Sequence, residues 1–413
     1  MKNLQKAAKV LGLDKKYLKT LAKPQKIIEV NFPVKMDSGK TKNFYGYRVQ
    51  HSNLLGPHKG GLRFHPECDL EETAHLAFLM TIKSAVLGLP YGGGKGGVQV
   101  NPKELSRGEL ERLTRAYTRE IAKHVGPRKD IPAPDVYTNS QVMKWFYDEY
   151  CQVQLEKKKP KNKQEKEKIT KQCRAVVTGK PMEIGGSHGR NVATALGGVY
   201  VLEEVLKFLK IKPNGQMIAI HGFGNAGSNM AKFLAQRGFK IIGVADSKAT
   251  IISENKKGLN INKLVSFKKK TGSIMDFPGS KEIASAGFFG IEADILIPAS
   301  LGGIITLQNA ADIKAKIILE LANGPVTPEA DEILNKKEVF VIPDVLANAG
   351  GVTVSYFEWL QNLRNQHWSE SKVFGELKKK MKKAAKEIRQ IKQKYRTSFR
   401  LAAYILAIKR LIK

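Results

Sequence analysis

Three lysines and one aspartate in the first third of the chain have neighbours that fix a backbone closely. Lys59 stands before Gly60-Gly61, and Lys95 lies inside Tyr91-Gly92-Gly93-Gly94-Lys95-Gly96-Gly97. Lys83 precedes Lys95 near the end of a helical pattern, and Asp135 follows Ile131-Pro132-Ala133-Pro134. A dicarboxylate substrate needs two cationic partners, one per carboxylate, which leaves a third lysine for acid–base work. Crowded ammonium groups disfavour one another's charged forms. Moving a lysine from ~10.4 toward ~7–8 takes about 4 kcal/mol of differential interaction, within the range of catalytic sites. The glycines around Lys95 predict a loop that uses backbone angles closed to other residues and lets a ligand approach. The stretch is not a phosphate loop, since Leu89 and Gly96 occupy positions where G-x-x-x-x-G-K-[ST] demands Gly and Ser/Thr.

A second constellation lies further on. Gly222-Phe223-Gly224-Asn225-Ala226-Gly227 follows the apolar run 217–220 and precedes a helical face of Ala226, Met230, Phe233 and Leu234. The next apolar run, 240–245, closes on Asp246. A strand, a glycine turn, a helix and a second strand ending in an acid form the context for dinucleotide binding. The helix N-terminus would face the pyrophosphate. Asp246 suits ribose hydroxyls and so NAD, whereas Lys248 suits a 2′-phosphate and so NADP; both remain open.

These groups need a scaffold. A length of 413 residues implies two domains. Apolar alternation at Ile28, Val30, Phe32 and Val34, the turn Asp37-Ser38-Gly39, and Tyr45, Tyr47 and Val49 predict a hairpin. Helical periods cover 3–22 (broken near Gly12), 69–88, 107–125 and 140–153, with a strand at 97–100. Residues 156–172 hold eight lysines and three glutamates around the single large apolar Ile169, which predicts a mobile, solvated loop. From about 185 short apolar runs at 217–220, 240–245, 294–297, 316–319 and 339–342 alternate with helices, as parallel strands with crossovers do. The expected fold class is α/β. An N-terminal α/β substrate-binding and oligomerisation domain (1–184) precedes a Rossmann-like doubly wound dinucleotide-binding domain (185–365), and C-terminal helices (366–413) pack back toward the first.

The net charge of +32 favours anionic ligands, but no nucleic-acid module accompanies it. The N-terminus lacks the apolar stretch of a signal peptide. Cys68, Cys151 and Cys173 are widely spaced and read as reduced thiols of a cytoplasmic protein, with no metal site and no membrane span.

Seven blocks in order resemble the Glu/Leu/Phe/Val dehydrogenase family, on its short hexameric bacterial and archaeal glutamate-oxidising branch: KGGLRFHP (59–66), LPYGGGKGG (89–97), IPAPDVYTN (131–139), TGKPMEIGGSHGR (178–190), GFGNAG (222–227), ANGPVTPEADEIL (322–334) and NAGGVTVSYFEW (348–359). The resemblance implies reversible oxidative deamination of L-glutamate to 2-oxoglutarate and ammonium, with hydride passing to NAD or NADP, in a homohexamer. Lys95 matches the lysine that activates water, and Asp135 the carboxylate that shuttles protons. Lys83 matches the α-carboxylate partner; Lys59, with Gly60 and Gly61 behind it, and Ser355 match the side-chain carboxylate pocket. Gly222 through Gly227 and Asp246 match the cofactor turn, Thr194 and Asn225 the nicotinamide contacts, and Asn323 and Asn348 polar residues lining the closed cleft. Family members that oxidise apolar amino acids carry apolar residues in place of Lys59 and Ser355, so glutamate is the expected substrate. The alternatives are a relative acting on an apolar amino acid and a basic polyanion-binding relative. The stretch 156–172 departs from the family as an insertion.

Overall fold

The computed structural model describes residues 1–255 and 257–412. The chain forms two compact units. One combines Gly12–Arg190, Val352–Phe374 and the residues from Ala407 on; the other combines Met1–Leu11, Asn191–Gly351 and Gly375–Leu406. The change of pattern near 185 lies close to the passage at Arg190. The passages near 351 and 406 fall inside the helices Gly350–Arg364 and Phe399–Leu411, where composition does not change.

The first unit is built on a sheet of β1 (Lys26–Lys35), β2 (Thr41–Ser52), β3 (His58–His65), β4 (Gly93–Gln99) and β5 (Asp130–Pro134), in the order β1-β2-β4-β3-β5. The predicted hairpin is β1–β2, antiparallel from Lys26↔Gln50 to Lys35↔Thr41, with Gly39 at φ +80° in its turn. Strand β3 runs parallel to both β4 and β5. Helices Arg107–Ile121 and Ser140–Lys158 pack Leu113, Tyr117, Val142 and Phe146 against Phe32, Phe44, Leu62 and Phe64. The helix Leu70–Leu87 is capped by Asp69, whose carboxylate accepts from the Glu72 N–H, and ends on left-handed Gly88. At its C-terminus Arg410 of the last helix donates to the carbonyls of Ala85 and Val86, each at 2.7 Å. A guanidinium there meets the negative end of the helix dipole, and it brings the chain's end back to the first unit.

Beneath the sheet Arg48 of β2 and Asp130 of β5 form an ion pair with both side chains 0% exposed. Arg48 Nε donates to Asp130 Oδ2 at 2.9 Å, and Gln50 Nε2 donates to the same oxygen at 2.9 Å. Breaking such a pair strands a buried charge. Asp130→Ala is therefore expected to lower stability by about 3–5 kcal/mol, read from the denaturant midpoint. Replacing Arg48 and Asp130 together by apolar residues should cost clearly less.

The second unit has a seven-stranded sheet: β6 (Met217–His221), β7 (Lys240–Ala245), β8 (Thr250–Ser253), β9 (Ser280–Glu282), β10 (Ile295–Pro298), β11 (Ile317–Leu319) and β12 (Phe340–Ile342), ordered β12-β11-β10-β6-β7-β8-β9. The five apolar runs form the parallel part, as expected. Strands β8 and β9 extend it antiparallel and were not expected, being too short and polar to show a strand pattern. In this unit Arg400 of the final helix grips Glu320, just past β11, through two contacts of 2.6 and 2.8 Å. Among the described residues no helix is long and apolar enough to cross a membrane.

Two expectations are overturned. The glycines around Lys95 are not a loop of unusual angles: β4 begins at Gly93, and none of Gly92, Gly93, Gly94, Gly96 and Gly97 has a left-handed backbone. Most of them are small because neighbouring atoms crowd them. A Cβ on Gly92 would lie 1.7 Å from the Ser52 carbonyl oxygen, one on Gly93 2.1 Å from Thr81 Oγ1, and one on Gly97 2.2 Å from Cys68 Sγ. The lysine-rich stretch is not a loop either. Its start completes Ser140–Lys158, and Lys163–Cys173 is a helix whose cap, Asn162, accepts from the Glu165 N–H. Ile169 and Cys173, four residues apart, suffice to bury one face against Tyr147 and Tyr150, while the lysines occupy the other.

Candidate active site

The parallel strands β3, β4 and β5 bring the expected residues of the first unit together. Register pairs Lys59 with Ile131 and Gly61 with Ala133, and Leu62 with Gly96. Alternation then sets Lys59, Gly61 and Lys95 on one face, with Asp135 following Ala133 just beyond β5. Lys95 Nζ donates to Asp135 Oδ2 at 2.7 Å. Arg63, which sequence reasoning passed over although it lies inside KGGLRFHP, donates from Nε to the same oxygen at 3.0 Å and ion-pairs with Glu72. The Asp135 N–H donates to Thr138 Oγ1 at 2.8 Å, and that hydroxyl donates to the Leu62 carbonyl at 2.7 Å. Gly61 leaves the room this needs: its Cβ would stand 2.7 Å from that of Asp135. Burial pushes the Asp135 carboxyl up, but Lys95 and Arg63 outweigh it and hold the group down at about 2. An ammonium and an ionised carboxylate in direct contact can hand a proton between them and to a third group placed beside them.

Lys59 is only 1% exposed, and its Nζ donates to the carbonyls of Ile131 (3.1 Å) and Pro132 (3.5 Å). Burial pushes this ammonium well below the ordinary lysine range; Arg190 and Arg48 push the same way, while Glu358 and Asp130 oppose them. The depression at Lys59 thus comes first from burial, and the cations that add to it are Arg190 and Arg48 rather than the other two lysines. Lys83 is buried on the helix Leu70–Leu87. Ser355, 1% exposed, sits on the helix Gly350–Arg364 in the part that belongs to this unit. Gly60 packs its bare Cα against the Gly94 carbonyl, 1.5 Å from where a Cβ would be. Arg190 and Glu358 also escaped sequence reasoning, because a charged residue in a basic chain looks like surface.

In the second unit the turn 222–227 joins β6 to the helix Asn225–Ala235 at the switch point between β7 and β10. Its glycines separate by cause. Gly222 has φ +105°, and its Cβ would meet the Ser300 nitrogen at 2.6 Å; a Cβ on Gly227 would meet the Gly222 carbonyl oxygen at 1.9 Å. Gly224 has an ordinary φ of −83°, and a Cβ there would meet nothing within 4 Å among the described residues. Protein packing therefore explains the outer glycines but not the middle one, which leaves bare backbone beside the helix N-terminus. That is the cradle a dinucleotide pyrophosphate requires, and the residues fit the group. Gly224→Val is expected to weaken NADH or NADPH binding at least about tenfold, measured by fluorescence titration, with the melting temperature nearly unchanged.

Around this turn, Phe223 is buried and Ala226 half-buried, and Asn225 Nδ2 donates to the Asn191 carbonyl at 3.1 Å. Thr194 stands in the first turn of the helix Ala193–Leu209. Asn348 Nδ2 donates to Asn323 Oδ1 (3.0 Å) and to the Ala322 carbonyl (3.1 Å), joining those two positions past β11 and β12. Asp246 closes β7, but its carboxylate is well occupied. It accepts from the N–H groups of Lys248, Ala249 and Ile274, and from Lys268 Nζ at 2.7 Å.

Two family profiles match the chain: Glutamate/Leucine/Phenylalanine/Valine dehydrogenase over residues 185–413, and the Glu/Leu/Phe/Val dehydrogenase dimerisation domain over 24–152. An NAD-specific glutamate dehydrogenase of Staphylococcus aureus (strain COL) is 44% identical over 407 residues, covering 98% of this chain and 94% of that protein. A glutamate dehydrogenase of Thermotoga maritima is 44% identical over 411 residues, covering 99% and 95%. Among solved structures, the hetero-hexameric glutamate dehydrogenase of Thermus thermophilus in its Leu-bound form matches with a TM-score of 0.91 at 35% identity, covering 99% of this chain and 94% of that one. The glutamate dehydrogenase of Peptoniphilus asaccharolyticus matches at 0.85 with 38% identity, covering 100% and 96%.

Proposed function

The chain belongs to the Glu/Leu/Phe/Val dehydrogenase family, and from that premise we propose that it catalyses the reversible oxidative deamination of L-glutamate to 2-oxoglutarate and ammonium with NAD or NADP. The observation that carries the reading is the Lys95–Asp135 pair at 2.7 Å on the strand face that also bears Lys59. Lys59 and Ser355 hold the side-chain carboxylate of glutamate, and Lys83 holds its α-carboxylate. Asp135 takes a proton from the substrate amino group and returns it in the reverse direction. The dinucleotide, when bound at 222–227, supplies the acceptor for the hydride leaving Cα. Lys95 orients and activates the water that attacks the resulting imine carbon, and its contact with Asp135 lets the two groups pass the proton that this attack releases. Thr194, Asn225, Asn323 and Asn348 orient the cofactor and the polar wall beside it, and Asp246, with its carboxylate held by the Lys248 and Ala249 N–H groups, acts on the adenosine ribose by fixing the turn after β7.

Lys59 and Ser355 favour glutamate over apolar amino acids. An apolar side chain would bury the Lys59 ammonium without an anionic partner, and a site built for a polar group rejects an analogue lacking it by large factors. The working form is a homohexamer in the cytoplasm, handling small carboxylates rather than nucleic acid. The test is a paired assay of glutamate-dependent reduction of NAD and of NADP. No reduction of either, or faster turnover of leucine or phenylalanine than of glutamate, would reject the proposal.

A further inference from the structure

The lysine-rich insertion has no part in the site described above, yet it brings two thiols together. Cys173 ends the helix Lys163–Cys173, and Cys151 lies on the helix Ser140–Lys158. Both are buried in one apolar cluster with Ile169, Tyr147 and Tyr150. The Tyr147 hydroxyl donates to the Thr170 carbonyl at 3.4 Å, and Lys158 Nζ donates to Gln172 Oε1 at 3.3 Å, so the two helices are joined close to both cysteines. The two thiols are hydrogen-bonded to each other. A sulfur–sulfur bond of about 2 Å needs only a short further approach.

Beside the pair, within the first unit, opens a cavity of about 550 Å³. Cys173 lines it, next to Tyr150 and Leu363, while Arg128, Lys158 and Lys171 supply three cations and no acidic residue takes part. Lys158 is bonded to a neutral amide, and among the described residues none of the three cations forms an ion pair, so their charges are not cancelled. Such a wall raises the local concentration of anions. The hydrogen bond from Cys151 and the charge of Lys158 outweigh burial and hold the Cys173 thiol below its ordinary range; the same bond and burial push Cys151 up. A thiol beside a cation and open to a cavity is the reactive kind, whereas one sealed in apolar surroundings is inert. Cys68 is the second kind: it is buried, its thiol is pushed up by burial, and it does not line the cavity.

We propose that Cys173 and Cys151 are a redox-responsive thiol pair, and that the cavity beside them admits a small disulfide carrying carboxylates. The Cys173 thiolate attacks one sulfur of that disulfide, and the first small thiolate leaves. Cys151 then attacks the Cys173 sulfur of the mixed disulfide, and the second small thiolate leaves. The two cysteine protons end on the two departing thiolates. Two cysteines are oxidised to one Cys151–Cys173 bond, and one small disulfide is reduced to two thiols. The bond fastens the inserted helix to the helix capped by Asn139. The inference does not depend on the reaction proposed above.

The experiment treats the reduced, full-length protein with excess glutathione disulfide, which is anionic, and separately with cystamine, a cationic disulfide, and maps the peptides without reduction. The expected product is a peptide pair linked through Cys151 and Cys173, with Cys68 left free. Once each rate is divided by that reagent's rate with free cysteine, glutathione disulfide should react about tenfold faster than cystamine. The double variant Lys158→Gln, Lys171→Gln should lose most of that preference. In Cys151→Ser the mixed disulfide should accumulate on Cys173, and in Cys173→Ser the Cys151 thiol should stay unmodified. No linkage between the two cysteines, a linkage that forms only in denaturant, a first adduct on Cys151, or equal corrected rates for the two reagents would each overturn the proposal. If the cysteine variants do not fold, the map and the two rates of the wild type decide alone.

Discussion

Lys95→Ala is expected to lower kcat for glutamate oxidation by about a thousandfold or more, with KM changed by no more than about threefold. The selectivity follows from where the lysine sits. It extends from the interior of β4 to a single carboxylate, Asp135, and the strand around it is held by other atoms, so truncation removes an acid–base group without moving the scaffold. Asp135 keeps Arg63 at 3.0 Å, so the carboxyl remains ionised and the melting temperature should change little. Asp135→Asn should cost a similar factor. The double variant should be scarcely worse than either single one, because two groups that pass one proton act as a unit. The carboxyl titrates near 2 in the free enzyme, so an acid limb in kcat/KM above about 4 belongs to another group. Retention of full turnover by Lys95→Ala, measured as initial rates with saturating glutamate and either cofactor, would remove Lys95 from the mechanism.

The sequence made these positions legible for a reason that differs in part from the physical one. Glycines beside Lys59 and Lys95 mark the site, but they mark it because helix and strand atoms approach to distances at which a Cβ cannot exist, not because the backbone turns there. Density of glycine reports crowding as readily as freedom, and a one-dimensional reading cannot tell the two apart. The parallel sheet of the second unit was legible because buried strands are runs of apolar residues; β8 and β9, short and partly polar, carry no such signature. The helix Lys163–Cys173 was illegible because two buried residues, Ile169 and Cys173, settle its packing while lysines dominate its composition. Arg63, Arg190, Lys180 and Glu358 stayed hidden for a related reason. In a chain of net charge +32, only the fold distinguishes a charge buried against a partner from one in water.

Lys59→Met is expected to reduce kcat/KM for glutamate by about a thousandfold while raising it for an unbranched apolar amino acid of similar length, such as norvaline. An ammonium has three donors, and in Lys59 two are directed at the Ile131 and Pro132 carbonyls, which leaves one for a substrate carboxylate. Methionine keeps the length and approximate volume of the side chain, so the strands need not move, but it offers glutamate a buried carboxylate with one partner fewer, a loss of about 3–5 kcal/mol. For norvaline the change removes an unpaired buried cation from the ground it must occupy. Stability should respond in the opposite sense from activity toward glutamate. The folded protein holds the Lys59 ammonium below its ordinary range, so folding releases protons and the wild type gains stability as pH rises from the folded titration point toward the unfolded one. Below that window the wild type bears the cost of a buried charge that the variant lacks. Lys59→Met should therefore melt at or above the wild-type temperature at neutral pH, and the gap should narrow as pH approaches about 10. Kinetics with glutamate and norvaline, together with melting curves across that range, check both halves. A variant that lost activity toward both substrates and melted lower at every pH would mean that Lys59 supports the fold rather than choosing the substrate.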